Sequence, residues 1–259
     1  STPTELVEKT GIDLVKKTDG WICESLAKSP NTPARVLQAL SYKKSEIVRL
    51  HVALNPNTPD TTLEDLATDT HHICQAVASN PNTPIYLLEQ LATYEYWGVR
   101  SSVAQNPNTP VPLLKHLAKD KSPDVYLGVI INPSTPIDLL VQAFEKSEVG
   151  GLIQYTLAQN PSTPINILQK LAIDYDWRIR AEVARNPSCS SSILLQLAAS
   201  CYHKEDKKYY FNDVLQHVLI HPHTPVDLLE KLATDKSYEI RYGVADNPST
   251  PIILLQQLA

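Results

Sequence analysis

The chain repeats one short proline-containing string along nearly its whole length. Asn-Pro-Asn-Thr-Pro occurs at 55–59, 80–84 and 106–110. Degenerate copies occur at 29–33, 132–136, 160–164, 186–190, 221–225 and 247–251. Successive copies are 26, 25, 26, 26, 28, 26, 35 and 26 residues apart. Self-similarity at a period of this length is the signature of a repeat architecture.

Each unit predicts two short helices. A Leu-Leu-x-x-Leu-Ala block follows the Thr-Pro pair at helical spacing and predicts a first helix, helix A, of about ten residues. We expect Thr58 to cap this helix by accepting from a first-turn N–H, with Pro59 as its first residue. A second helix, helix B, has apolar residues four apart, such as Val48 and Val52, and the next Asn-Pro ends it. A linker aspartate such as Asp69 is a start signal for helix B.

Helices this short cannot be stable alone, because isolated helices of fewer than roughly 12–15 residues are marginal in water. Each unit must therefore bury its Leu and Val stripes against its neighbours. We predict an all-α fold, a superhelical solenoid of about nine helix pairs forming a single domain over 1–259. Residues 1–28 form a divergent first repeat, and 199–213 are an insertion in the linker of the seventh repeat. The aromatic, lysine-rich insertion fits either a binding segment or a tolerated surface loop.

The sequence stops in mid-repeat. Its last residues close a helix A, and no helix B follows them, so the stripe that includes Leu255 and Leu258 is left uncovered. A solenoid end normally needs a polar cap. We therefore expect either a longer parent chain or end-to-end self-association through the open C-terminal repeat.

Three blocks of the repeat resemble the leucine-rich-repeat variant family of bacterial proteins: Asn-Pro-Asn-Thr-Pro, Leu-Leu-x-x-Leu-Ala and Val-Arg-x-x-Val-Ala. The resemblance implies a right-handed superhelix in which α and 3-10 helices alternate. One member of the family adds an N-terminal cysteine cluster that holds an iron–sulfur centre. The first 30 residues of this chain contain only Cys23, so that cluster is not carried over. The family has no common enzymatic activity, and the resemblance therefore implies a binding role.

Composition argues against several functional classes. The 28 acidic and 23 basic residues give a net charge of −5, which disfavours non-specific binding to a phosphate backbone. No apolar run reaches the roughly 18–20 residues of a membrane span. There is no nucleophile elbow, phosphate loop or metal signature, so we expect no enzyme, no catalytic residue, no cofactor and no metal. Four scattered cysteines without a CxxC indicate free thiols or core residues, and with them a cytoplasmic location.

Three sets of polar residues each have a structural and a functional interpretation. An arginine that recurs in helix B forms either a basic ladder or, as we favour, pairs with linker aspartates and helix-end carbonyls. The asparagine that opens each string most simply bonds the stacked turns. His217, His221 and His223 have the spacing of metal ligands, yet the last two replace repeat asparagines. The arginines are Arg49, Arg100, Arg180 and Arg241, and the asparagines are Asn55, Asn80, Asn106, Asn132, Asn160, Asn186 and Asn247.

A contact surface is predicted from helix B residues that point away from the core. The positions between the two Val residues and the one after the Ala should be polar on a surface helix. Where they are apolar in several repeats, a binding face is indicated. The partner-binding residues predicted in this way are Leu50, Leu54, Leu127, Ile131, Tyr155, Gln159 and Tyr242. The opposing interpretation is that neighbouring helices cover this outward-facing side of helix B, since Gly128 and Gly243 beside these residues permit close packing.

The predicted function is that of a non-catalytic repeat scaffold. It binds a protein or peptide partner through the face formed by successive helices B. The alternative is a nucleic-acid-binding helical repeat protein, because helical repeats can read bases one per unit. The sequence does not identify the partner.

Overall fold

The computed structural model describes residues 3–149, 151–202 and 211–258, and the regular structure in these ranges is entirely α-helical. The helix A places hold α1 (Pro3–Lys17), α3 (Ala34–Ser41), α5 (Asp60–Leu66), α7 (Ile85–Leu91), α9 (Val111–Leu117), α11 (Ile137–Lys146), α13 (Ile165–Leu171), α15 (Ser191–Tyr202), α17 (Val226–Leu232) and α19 (Ile252–Leu258). The helix B places hold α2 (Trp21–Lys28), α4 (Glu46–Leu54), α6 (His71–Ser79), α8 (Trp97–Gln105), α10 (Pro123–Ile131), α12 (Leu152–Gln159), α14 (Trp177–Arg185), α16 (Phe211–Ile220) and α18 (Tyr238–Asp246). The predicted all-α fold with alternating helix pairs is confirmed.

Two expectations about these helices were wrong. Most helices A are shorter than the predicted length of about ten residues, with seven residues in α5, whereas α11 has ten. The described residues contain no 3-10 helix, so the alternation implied by the family resemblance is not found. The amide of Ala67 bonds the carbonyl of Leu63, which is the α-helical pattern, although the first turn has a tighter bond from Thr62 to Pro59. Helix A is therefore a short α-helix with a tightened first turn.

Residues 1–134 and 135–259 form two compact units with the same internal packing. In the first unit α2, α4, α6, α8 and α10 lie side by side in that order. In the second unit α12, α14, α16 and α18 do the same. A helix A contacts the helices B before and after it, as α5 contacts α4 and α6. Within each unit, the helices B thus form a layer that the helices A cover.

The core lies between helices A and helices B. Leu63 and Leu66 of α5 and Val48 and Val52 of α4 are buried, as are most of their counterparts, whereas Ile153, Leu255 and Leu258 are half-buried. The Leu and Val stripes identified in the sequence are therefore confirmed as core. Because each stripe is buried partly by the neighbouring repeat, no helix pair encloses its own core.

The Thr-Pro pair does not act as the sequence predicted. The Thr58 hydroxyl donates to the carbonyl of Val52, 2.5 Å away in the last turn of helix B, instead of accepting from α5. Pro59 is the N-cap of α5 in extended conformation, and its carbonyl accepts from the amides of Thr62 and Leu63. The expectation failed because a helix end also leaves carbonyls without partners. Here the Asn-Pro turn brings the threonine to the C-terminal end of the preceding helix.

The repeat asparagines join consecutive turns, as the structural interpretation predicted. Asn106 Nδ2 donates to the carbonyls of Ala78 and Asn80 in the preceding repeat, both at 2.8 Å. Its Oδ1 accepts from the amide of Asn108 at 2.9 Å. Equivalent pairs of bonds to the preceding repeat are made by Asn55, Asn80, Asn132, Asn186 and Asn247. These buried amides are structural rather than ligand-binding groups.

The predicted insertion is described only at its two ends. Residues 199–202 extend α15 to Tyr202, and residues 211–213 begin α16. Residues 203–210, to which the alternatives of a binding segment and a surface loop apply, lie outside the described residues.

Candidate functional site

The face predicted to bind a partner belongs to helix B. If the nine residues before each repeat asparagine are numbered from one to nine, all seven predicted contact residues occupy the fifth or the ninth position. In the first unit, Leu54 and Ile131 at the ninth position are 45% and 39% exposed. Leu50 and Leu127 at the fifth position are half-buried. All four reach solvent, and the ninth position presents the larger apolar surface.

These four residues do not form one continuous apolar strip, because α6 and α8 lie between α4 and α10. The fifth and ninth positions of α6 and α8 are Gln75, Ser79, Ser101 and Gln105. The Ser101 hydroxyl donates to the carbonyl of Asp124 at 3.0 Å, and Gln105 Nε2 donates to that hydroxyl at 3.1 Å. The first unit therefore presents two apolar patches, on α4 and on α10, separated by a polar strip.

Helices α8 and α10 pack closely next to Leu127. A Cβ atom added at Gly128 would lie 2.9 Å from the carbonyl oxygen of Ser101 and 3.1 Å from the Cβ of Ala104. Only glycine fits without a shift of the backbone. Leu127 is therefore partly covered, as the interpretation of close helix packing predicted, whereas Ile131 on the same helix is exposed.

In the second unit the predicted residues differ in their surroundings. Tyr155 is half-buried, and its hydroxyl donates to Glu182 Oε1 at 3.2 Å. Burial and the carboxylate charge raise the pKa of the Tyr155 hydroxyl. Gln159 is half-buried, and Tyr242 is 70% exposed. Tyr155 is held by a carboxylate of this chain, and Tyr242 presents most of its ring to solvent.

The arginines of helix B are structural, as favoured from the sequence. Arg100 forms a two-pronged ion pair with Asp120, with Nε and Nη2 at 2.7 and 2.9 Å from the carboxylate oxygens. Its Nη1 donates to the linker carbonyls of Tyr94 and Glu95. The guanidinium holds the pKa of the Asp120 carboxyl below its usual range. Arg49 pairs with Asp69 in the same way, and Arg180 and Arg241 also bond linker carbonyls. Hence these guanidinium groups do not form an open basic ladder.

Three clefts lie at the beginnings of helices B, each between one helix B and the linker to the next. One, of about 400 Å³, separates α2 from the linker before α4 and is lined in part by Lys43 and Lys44. Another, of about 410 Å³, separates α6 from the linker before α8 and is lined by aromatic rings and a carboxylate. A third, of about 370 Å³, separates α12 from the linker before α14, with Tyr155 and Arg178 in its wall. The sequence analysis missed these clefts because each forms between residues of two repeats.

The three histidines with metal-ligand spacing have other partners. His221 Nδ1 accepts from the amide of His223, so Nε2 carries the proton and donates to the carbonyl of Asn186 at 3.1 Å. His223 Nδ1 lies 3.1 Å from the carbonyl oxygen of Cys189, and His217 bonds Arg185. His221 thus replaces the repeat asparagine in its structural role. The described part of the chain contains no group of His, Cys, Asp or Glu side chains arranged to hold a metal ion.

Acid should weaken the second unit through His221. Burial is the largest cause that lowers the pKa of His221, and the neighbouring ring of His223 lowers it further. A histidine with a lowered pKa contributes stability above its ordinary pKa of about 6.5, and this is lost as the pH falls through the lowered value. We expect His221→Asn, which restores the repeat residue, to flatten the fall in melting temperature between about pH 7 and pH 5. Equal slopes for both proteins would contradict this role.

Sequence reasoning also missed a second set of exposed apolar residues. A branched aliphatic residue directly follows the Pro of the repeat string in six units. In the structure these residues begin helices A and are exposed: Ile85, Val111, Ile137, Ile165, Val226 and Ile252. The signal that identifies them is the recurrence of an aliphatic residue at one position of the repeat. These helix A residues are the alternative candidate for a binding surface.

Comparisons with known proteins agree with the repeat pattern. Residues 48–104 match the family model of the Leucine Rich Repeat Variant domain, which confirms the resemblance for that stretch. One solved structure, described as a leucine-rich repeat variant with a novel repetitive protein structural motif, is similar at 18% identity and a TM-score of 0.44. The similarity covers 92% of this chain and 80% of that one. A search of curated proteins finds no significant match. No helix in the described ranges is long and apolar enough to cross a membrane.

Proposed function

We propose that this chain is a non-catalytic repeat scaffold that binds a protein or peptide partner through its helices B. The observation that carries the proposal is the recurrence of a cleft at the same repeat junction, with a different lining each time. Elsewhere on helices B, the side chains of Leu54, Ile131 and Tyr242 are exposed. Exposed apolar and aromatic anchors, together with pockets that have polar rims, are typical of protein-binding surfaces.

A protein partner is favoured over a nucleic acid. Non-specific affinity for a phosphate backbone comes from unpaired Lys and Arg side chains. The arginines that recur along helix B are engaged, with Arg49 and Arg100 in ion pairs inside the chain. The net charge of −5 opposes approach of a polyanion. These features support the protein-binding proposal, and nucleic-acid binding remains an outcome of the test.

The proposal is tested by quantitative capture of a partner from the native host. The triple variant Leu54→Ser, Ile131→Ser and Tyr242→Ser removes exposed helix B anchors. We expect the affinity for the captured protein to fall about tenfold or more, because a few apolar anchors carry most of the binding energy. The matched control is Ile85→Ser, Ile137→Ser and Ile165→Ser on helices A, which should change the affinity less than about twofold.

Two outcomes would overturn the proposal. Loss of binding in the helix A control with retention in the helix B variant would place the interface on helices A. Tight binding of labelled single-stranded RNA or DNA at physiological salt, abolished by the helix B variant, would favour the nucleic-acid alternative. Circular dichroism of both variants checks that the substitutions leave the helices folded.

A further inference from the structure

The cleft between α6 and the linker before α8 has an unusual lining. One wall is formed by His71 at the beginning of α6, and the other wall is formed by the linker residues 94–96 and by Trp97, the first residue of α8. The lining residues are His71, Tyr94, Glu95, Tyr96 and Trp97. With a volume of about 410 Å³ and an open mouth, the cleft has room for the end of a long side chain. It therefore offers aromatic surfaces and one carboxylate to a ligand.

The rings of this cleft are packed against one another. The ring centroids of His71 and Tyr96 are 4.7 Å apart in an edge-to-face arrangement, and those of Tyr96 and Trp97 are 5.5 Å apart. Gly98 permits this arrangement, because a Cβ atom there would collide with the ring of Tyr96. Tyr96 and Trp97 nevertheless remain 37% and 43% exposed. The aromatic surfaces are thus held in place and still accessible.

The electrostatic surroundings of the cleft favour a cation. Residues 45–99 contain no lysine and one arginine, Arg49, whose charge is matched by Asp69. Their acidic side chains are Glu46, Asp60, Glu64, Asp65, Asp69, Glu89 and Glu95. The Glu95 carboxylate makes no ion pair with any residue that the structure describes, and the nearby guanidinium of Arg100 is matched by Asp120. A cation entering the cleft therefore meets an unmatched negative charge.

The equivalent cleft between α2 and the linker before α4 has the opposite character. Lys43 and Lys44 line it, and Lys43 pairs with Asp19 at 2.7 Å. Since Asp19 matches the charge of Lys43, the remaining charge of Lys44 would repel a cation there. The contrast between two clefts at the same repeat position supplies an internal control for the α6–α8 cleft.

We propose that the α6–α8 cleft binds a lysine or arginine side chain from a basic segment of the partner protein. The cation lies against the faces of Tyr96 and Trp97, and its charge is matched by Glu95. Aromatic faces attract cations through the ring quadrupole, and the planar guanidinium of arginine also stacks on them. This inference rests on the proposed function, and it names the chemistry that one repeat junction recognises.

Fluorescence anisotropy with labelled ten-residue peptides tests this assignment. The peptides are five repeats of Gly-Arg, of Gly-Lys and of Gly-Glu, measured at pH 8. We expect the Arg and Lys peptides to bind and the Glu peptide not to bind. Trp97→Ala should weaken binding of the Arg peptide about two- to fivefold, the change expected for one exposed cation–π contact. Glu95→Gln should weaken the binding of both basic peptides. This substitution removes no aromatic ring and should therefore leave the fold intact.

The matched control is Trp21→Ala, which removes an exposed tryptophan at the beginning of α2, beside the lysine-lined cleft. It should leave peptide affinity unchanged. Equal weakening by Trp21→Ala and Trp97→Ala, or no weakening by Trp97→Ala and Glu95→Gln, would overturn the cleft assignment and leave only general attraction to an acidic chain. Capture of the native partner separates the two proposals. If the helix B variant abolishes capture and Glu95→Gln does not alter it, the scaffold proposal stands and the cleft assignment fails.

Discussion

Replacement of Leu114 by alanine should lower the free energy of unfolding by about 2–4 kcal/mol, and Val103→Ala should have an effect of similar size. Leu114 lies in α9 and Val103 in α8, and both side chains are completely buried. Each change removes apolar contacts and leaves a cavity between a helix A and the helix B layer, which the surrounding backbone can fill only partly. Urea unfolding followed by circular dichroism at 222 nm measures the change.

The control for this prediction is Val111→Ala on α9 itself. Val111 is exposed, so the substitution should alter the free energy of unfolding by less than about 0.5 kcal/mol. If Leu114→Ala and Val103→Ala both leave the unfolding midpoint unchanged, these residues do not belong to a shared core, and the inward assignment of the two stripes is wrong.

Asn106→Ala should also cost about 2–4 kcal/mol. The amide of Asn106 serves two buried carbonyls of the preceding repeat and one backbone amide of its own turn. A buried polar group left without its partner costs about 1–3 kcal/mol, and alanine supplies no replacement for either side of the amide. Because these bonds cross the repeat junction, the loss should also increase hydrogen exchange at the turns of both repeats.

Asn108→Ala provides the comparison for Asn106→Ala. Asn108 also reaches the preceding repeat, where its amide donates to the carbonyl of Pro81, but this bond is exposed to water. Water can replace the lost partner, so the cost should stay below about 1 kcal/mol. Similar costs for the two substitutions would show that burial of the asparagine amide is not what stabilises the junction.

The sequence determined the helix pairs and the core because both depend on local patterns. The Leu stripe of α5 and the Val stripe of α4 follow from spacing alone, and so does the end of helix B at Asn-Pro. The pairing of Arg100 with a linker aspartate was the favoured interpretation, because arginine recurs at this helix B position and aspartate recurs in the linker. The role of Thr58 was not predicted because Thr58 lies between two helix ends, and its hydroxyl can serve either the first amides of α5 or the last carbonyls of α4, of which it bonds that of Val52.

The candidate site was less predictable because exposure depends on how closely the helices pack. Leu127 and Ile131 have the same pattern in the sequence, yet only Leu127 is half-buried beside the glycine contact of α8 and α10. The clefts depend on where a linker passes the preceding helix B, which no single repeat encodes. The exposed residues that begin helices A, such as Ile137, were in the pattern but have no packing signature that distinguishes them from core.

Partner binding through helices B is tested most directly by hydrogen–deuterium exchange on the complex of this chain with its captured partner. Slower exchange is predicted in helices B and in the linkers before them, including α4, α10 and the segment 94–97. The beginnings of helices A at Ile85, Ile137 and Ile165 should exchange at the rates of the free chain. Protection confined to those helix A ends, with helices B unchanged, would contradict the proposed binding face.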